Sequence, residues 1–190
     1  GMIQIAREWA FDLKFGYCET GGFWNSRKEC CRVSKDEDSC WHWRTWSEFL
    51  MGLPGSGKMD RGYGLDYIIY MIVCTILGTW SAWLVRTFAP FASGSGIPEI
   101  KTILGGFVMK GYLGGRVLLI KSVALVLSIA SGLSVGLEAA YIHIACCIAN
   151  VVARYFSKYA SSEVKKRELL SGAAAAGISV AFGAPVGGVL

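Results

Sequence analysis

From position 122 to position 153 the sequence is apolar except for one charged residue, Glu138. An ionised carboxylate left unpaired in such surroundings is strongly disfavoured, so it requires a cavity, a partner or a shifted pKa. Gly136 comes two residues before it, and the apolar run over residues 122–137 is short for a full membrane crossing. The stretch predicts a broken pair of helices, with Glu138 opening the second near the bilayer midplane. Transporters place their ion sites in such breaks.

Composition supports a membrane setting. Of 190 residues, 53% are hydrophobic and 17% charged, with mean hydropathy +0.43; soluble domains carry about a quarter charged residues. The charges crowd the first 66 residues and the segment 154–168, leaving long apolar tracts elsewhere. The net charge of +5 lies in basic flanks beside apolar spans, with no basic patch interleaved with aromatics, and this excludes a nucleic-acid partner. The partner implied is a lipid bilayer. The chain opens on a helix already in progress and stops inside an apolar segment, which predicts a piece of a longer polytopic chain.

Residues 1–15 read as the end of a membrane or interfacial helix, with Trp9 and Phe11 at the interface; an amphipathic surface helix fits the same spacing. Residues 16–66 are polar and rich in turn formers, and carry Cys18, Cys30, Cys31 and Cys40 with Trp24, Trp41, Trp43 and Trp46. Four cysteines in such a loop predict an oxidising, lumenal or extracellular side with one or two disulfides, and sequence leaves all three pairings open. No C-x-x-C spacing supports a metal, so none is expected. Residues 52–58, G-L-P-G-S-G-K, match the glycine and lysine positions of a P-loop, but Met59 replaces the magnesium-binding hydroxyl and no buried strand leads in. They read as a plain loop.

Residues 67–190 form the membrane domain. Residues 67–85 carry no charge, a clear transmembrane span closed by Arg86. After it, Ile97, Ile100, Ile103, Leu104, Phe107 and Val108 recur at helical spacing and predict a helix of about fourteen residues, too short to cross. Its entry, G-S-G-I-P-E (94–99), has a capping candidate in Ser95, a first-turn proline in Pro98 and an acid at the positive dipole end in Glu99. A helix start at membrane depth offers free N–H groups and partial positive charge, which suit an anion, and the Ser95 hydroxyl can donate to it. Two such starts, at Ser95 and Glu138, could face a common point.

Lys110, Arg116 and Lys121 flank a turn at Gly114-Gly115, and Lys165-Lys166-Arg167 lies in a basic cytosolic connector. Residues 169–190 are uncharged and dense in small residues, which permit close helix contact, and Gly183 with Pro185 predicts a break between two short helices. His42 and His143 are isolated, and no nucleophile sits near a base, so an enzyme is not expected. His143 reads as a packed, hydrogen-bonded residue.

Three elements, G-S-G-I-P-E-I-K-T-I-L (94–104), the G-x-E at 136–138 and A-F-G-A-P-V-G-G-V-L (181–190), resemble the CLC family of chloride channels and chloride/proton exchangers. The polar region, with D-L-K-x-G-x-C (12–18) and paired Cys30-Cys31, is similar to the endosomal exchanger branch. The resemblance implies an all-α polytopic membrane protein of broken and short tilted helices, here the first half of the CLC fold, and a homodimer with one anion pathway per subunit. It implies Ser95 as ligand of a central chloride, with the backbone at Gly96 and Ile97 lining the site. Glu138 is implied as the gate that competes with chloride and carries the proton. Chloride and proton are then the transported species, with no cofactor, in an endosomal, Golgi or vacuolar type of membrane.

The family's gate pattern is G-K/R-E-G-P, whereas this chain has Gly136-Leu137-Glu138-Ala139-Ala140. Leu137 removes positive potential, Ala139 adds a Cβ beside the anion, and Ala140 no longer fixes the helix start. Two alternatives accompany proton-coupled exchange: a voltage-gated passive channel, and a truncated or diverged relative that does not transport and acts through dimerisation.

Overall fold

The computed structural model describes residues 2–32, 42–51, 63–109, 111–156, 159 and 162–189. Cys40, Lys110 and residues 52–58 lie outside the described residues. The chain divides into two compact units, residues 1–80 with 126–134 and residues 81–125 with 135–190.

The first unit begins with α1 (Met2–Asp12) and holds the polar cysteine region. Strands β1 (Gly16–Cys18) and β2 (Trp43–Thr45) pair antiparallel with Tyr17 opposite Arg44, a small ribbon in an otherwise helical chain. A Cβ on Gly16 would run into the Arg44 carbonyl, so the ribbon needs glycine there. Helix α2 (Arg27–Cys30) is one turn capped by Ser26, and it carries Cys30 to Cys18, where a disulfide forms with Cα atoms 5.9 Å apart. That bond selects one of the open pairings. Cys31 is also disulfide-bonded.

Helix α3 (Trp46–Met51) follows the ribbon directly. Trp46 anchors the region: its indole N–H donates to Leu13 O at 2.8 Å, and its ring meets Tyr17 and Phe23 at 5.7 and 6.2 Å. Trp24 is instead exposed and stacks on Trp9. Ser47 donates from its N–H and its hydroxyl to the two Asp66 oxygens at 2.9 and 2.8 Å, tying α3 to α4 (Tyr63–Phe88).

Residues 64–88 of α4 are the one stretch, among the described residues, long and apolar enough to cross a membrane. Tyr67, Ile68, Met71, Ile72, Ile76, Trp80 and Trp83 are exposed along it, as a lipid-facing helix requires. The helix extends beyond the expected span at both ends.

The second unit takes the end of α4, a 3₁₀ turn (Pro90–Ala92), α5 (Ile97–Leu104), most of α6 (Gly115–Ala130), α7 (Glu138–Ala153), α8 (Glu163–Phe182) and α9 (Pro185–Val189). Helix α5 has eight residues rather than about fourteen. It stops because Gly106, at φ +115, closes a Schellman motif: its N–H donates to Ile103 O, and the Phe107 N–H donates to Thr102 O.

Helix α8 starts at Glu163, so Lys165-Lys166-Arg167 forms its first turns rather than a separate connector. The expected break is present: α8 ends at Gly183, φ +62, and α9 begins at Pro185. The small residues of α8 serve packing within the chain. A Cβ on Gly177 would lie 2.9 Å from the Ile142 Cα of α7, and one on Gly188 would meet Ser179 and the Ala175 carbonyl. Ile100, Val117, Ile142, Cys146, Cys147 and Leu170 form the centre of the unit's core.

Candidate anion-binding site

Helix α5 starts at Ile97 behind Gly96, which holds φ +85. Glycine adopts this left-handed conformation without the steric cost other residues meet. Gly96, not Ser95, is the N-cap. Because Gly94 (φ +79) and Gly96 both turn the backbone sharply, Ser95 is set one residue ahead of the cap. Its Oγ accepts from the Ile97 N–H at only 3.4 Å, a long bond, and the side chain is exposed. Pro98 occupies the first turn, where its missing N–H costs nothing, and Glu99 follows it. The first N–H groups of a helix lack intrahelical partners, so this start presents weakly committed donors beside an exposed hydroxyl.

Helix α7 opens on Glu138 itself. Leu137 stands at the cap without a capping side-chain bond, and the Glu138 side chain is exposed. Its carboxylate folds back over Gly136, where a Cβ would lie 2.6 Å from Oε2. Gly136 is therefore the residue that makes room for the carboxylate at the helix start.

The start of α5 is seated on α7 at His143, more than one turn past Glu138. A Cβ on Gly96 would lie 2.6 Å from His143 Nδ1 and 2.9 Å from its Cβ, so the imidazole packs directly on the α5 cap. His143 is fully buried, and its ring stacks on Tyr112 at 4.6 Å with 7° between planes. It is packed, as its surroundings in sequence imply, and it lies beside the Tyr112 backbone, with Tyr112 in turn beside the Glu99 carboxylate. The ring nitrogens, Tyr112 OH and Glu99 Oε2 are all buried, and none has a well-aligned hydrogen bond among the described residues. Ser95 and Glu138 share no hydrogen bond with each other. They are linked through Gly96 and His143.

In the sequence, Lys121 reads only as a flank of the Gly114-Gly115 turn. In the structure it is 4% exposed on α6, and Nζ donates to Gly94 O at 2.8 Å and to Ala92 O at 3.2 Å. The signal was available: in α6, Lys121 is followed by an uncharged apolar run to Ala130. No group of three or more His, Cys, Asp or Glu side chains gathers among the described residues to hold a metal.

Short, closely packed apolar helices, the one long lipid-facing span among the described residues and a helix start at Gly96 seated on α7 define a membrane-domain protein. The chain belongs to the voltage gated chloride channel family, whose model matches residues 77–190. It is 47% identical over its whole length to H(+)/Cl(-) exchange transporter 5 of Rattus norvegicus and 48% identical to H(+)/Cl(-) exchange transporter 3 of Homo sapiens. The Cavia porcellus exchange transporter 5 is likewise 47% identical. The chain spans about a quarter of the length of these curated relatives: 23%, 23% and 26%.

Proposed function

We propose that this chain is part of a transporter that exchanges chloride for protons across an intracellular membrane of the endosomal, Golgi or vacuolar kind. Ser95, with the backbone at Gly96 and Ile97, holds the anion, and Glu138 is the gate and proton carrier. The observation that carries the reading is the seat of His143 on Gly96. It fixes the uncapped start of α7, with its carboxylate, relative to the start of α5, with its exposed hydroxyl. An anion gains from both positive helix ends, and a protonatable carboxylate at one of them competes with it for the same potential. The names of the relatives support exchange over other anion chemistry. The working unit is a homodimer, and no cofactor takes part beyond the transported chloride and proton.

The test is flux from the whole polypeptide that carries this sequence, reconstituted in liposomes. Chloride movement should drive proton movement uphill, and Glu138→Ala should abolish that coupling. Coupling that survives Glu138→Ala would remove Glu138 from its role, and a reversal potential indifferent to the proton gradient would make the protein a passive channel. A second reading rests on Leu137, Ala139 and Ala140, the altered surroundings of Glu138. In it the chain has lost transport and acts through dimerisation, and absence of chloride flux would select it.

A further inference from the structure

The loop ahead of α5 owes its shape to a residue outside it. Between the 3₁₀ turn at Pro90–Ala92 and the helix start at Ile97, the backbone has two glycines at positive φ and only local side-chain bonds of its own, Ser93 Oγ to Pro90 O and the long bond from the Ile97 N–H to Ser95 Oγ. Such a segment has many conformations to lose, and the long bond at Ser95 restricts it little. The Lys121 ammonium supplies the restraint: it reaches across from α6 and donates to Gly94 O and Ala92 O, the carbonyls on either side of Ser93.

A fully buried ammonium is disfavoured unless its donors are satisfied, and an α6 built only for packing would carry an apolar residue here. The charged and titratable groups around it are Glu99 on α5 and Cys147 and His143 on α7, and none of them forms an ion pair within 4.0 Å of Nζ. The bonds Lys121 makes are to the loop.

We infer that Lys121 is a positioning residue for the anion-binding loop: by holding the Ala92 and Gly94 carbonyls it sets where the Ser95 hydroxyl and the α5 N–H groups stand. The inference rests on the reading of Ser95 as an anion ligand. Its consequence is for chloride recognition, because misplaced donors weaken and broaden binding whether or not the later steps change. The carbonyls are also kept turned toward Lys121, so their negative ends are committed to a cation rather than left free beside an anion.

The experiment measures chloride dependence and chloride-over-nitrate preference of transport in liposomes for the whole polypeptide, with monodispersity and melting temperature as controls. Lys121→Met should raise the KM for chloride by about tenfold or more, since two charge-assisted hydrogen bonds that hold the loop are lost, and flatten the preference for chloride, with maximal rate changed less. Lys121→Gln keeps a donor without the charge and should recover most of the affinity. If Ser95→Ala alters KM and selectivity while a folded Lys121→Met does not, the inference fails and the Ser95 reading stands. If Lys121→Gln is as impaired as Lys121→Met while Lys121→Arg is normal, the charge matters rather than the bonds, and the positioning role is overturned. If Ser95→Ala changes neither quantity, the anion-site reading itself falls.

Discussion

Gly96 and His143 are in such close contact that a single methyl group on the glycine would come within 2.6 Å of the imidazole Nδ1. The contact joins the cap of one half-helix to the first turns of another, and it makes the glycine indispensable for two separate reasons. The backbone is at φ +85, and there is no room for a side chain.

Gly96→Ala should therefore cost more than either effect alone. The left-handed conformation costs about 1–2 kcal/mol for a residue with a Cβ, and the clash adds an overpacking penalty of about 1–3 kcal/mol. Adding His143→Ala should return the second part and leave the first. Thermal unfolding of the single and double variants measures the difference, and strictly additive losses would show that the two residues do not press on one another.

Gly177→Val tests the interface of α7 and α8. The Gly177 Cα faces the Ile142 backbone, with a would-be Cβ 2.9 Å from Ile142 Cα and 3.2 Å from Ala145 Cβ. Backbone cannot give way as a flexible side chain does, so the helices must separate, losing close packing that has no hydrophobic drive to replace it in lipid. A loss of about 1–3 kcal/mol is expected. Gly172→Ala, at a position with nothing within 4 Å, should be nearly silent or slightly stabilising in the same unfolding assay.

Much of this was legible beforehand, for identifiable reasons. The start of α7 at Glu138, the Gly183 break before Pro185 and the presence of a span over residues 67–85, though not its ends, follow from charge placement and backbone chemistry, which act locally. The length of α5 was overestimated because the apolar spacing runs on through Phe107 and Val108, while Gly106 ends the helix by a left-handed turn that periodicity does not register. Ser95 passed for the cap because the glycine after it, rather than the hydroxyl, takes the left-handed turn. The bonds of Lys121 and the packing of His143 on Gly96 join residues far apart in sequence, and no spacing rule reaches them. The Cys18–Cys30 pairing was open for the same reason.

That disulfide closes the short loop from the end of β1 to the end of α2, with a sequence separation of 12. Cross-links of this span stabilise by about 3 kcal/mol in the loop-entropy account. Cys30→Ser should loosen the first unit: protease sensitivity and amide exchange should rise at β1, β2 and α2, whose contacts are few. The α7–α8 pair should keep its protection. Uniform loosening of both units would contradict the division of the chain into separately packed parts.

The residues around Glu138 give the last prediction, and it concerns electrostatics. Leu137 stands where the family pattern has a cation, immediately before the first residue of α7 and without a capping bond. A cation there would add positive potential at the proposed anion site, about 1–2 kcal/mol for a charge felt over roughly 10 Å at an effective dielectric of about 20. Leu137→Lys should accordingly lower the KM for chloride by up to about tenfold, and the gain should shrink as ionic strength rises, since an exposed helix start is screened. Ala139→Gly should have a smaller effect, felt only if the backbone there approaches the anion. Ala140→Pro is compatible with the first turn of the helix, but Ala140 is buried, so the ring must find room and a loss of stability is the expected result. Flux measured against chloride concentration for the three single variants ranks them. An unchanged KM in Leu137→Lys would mean that the start of α7 lies too far from the anion to act on it, and Glu138 would lose its claim to the gate along with it.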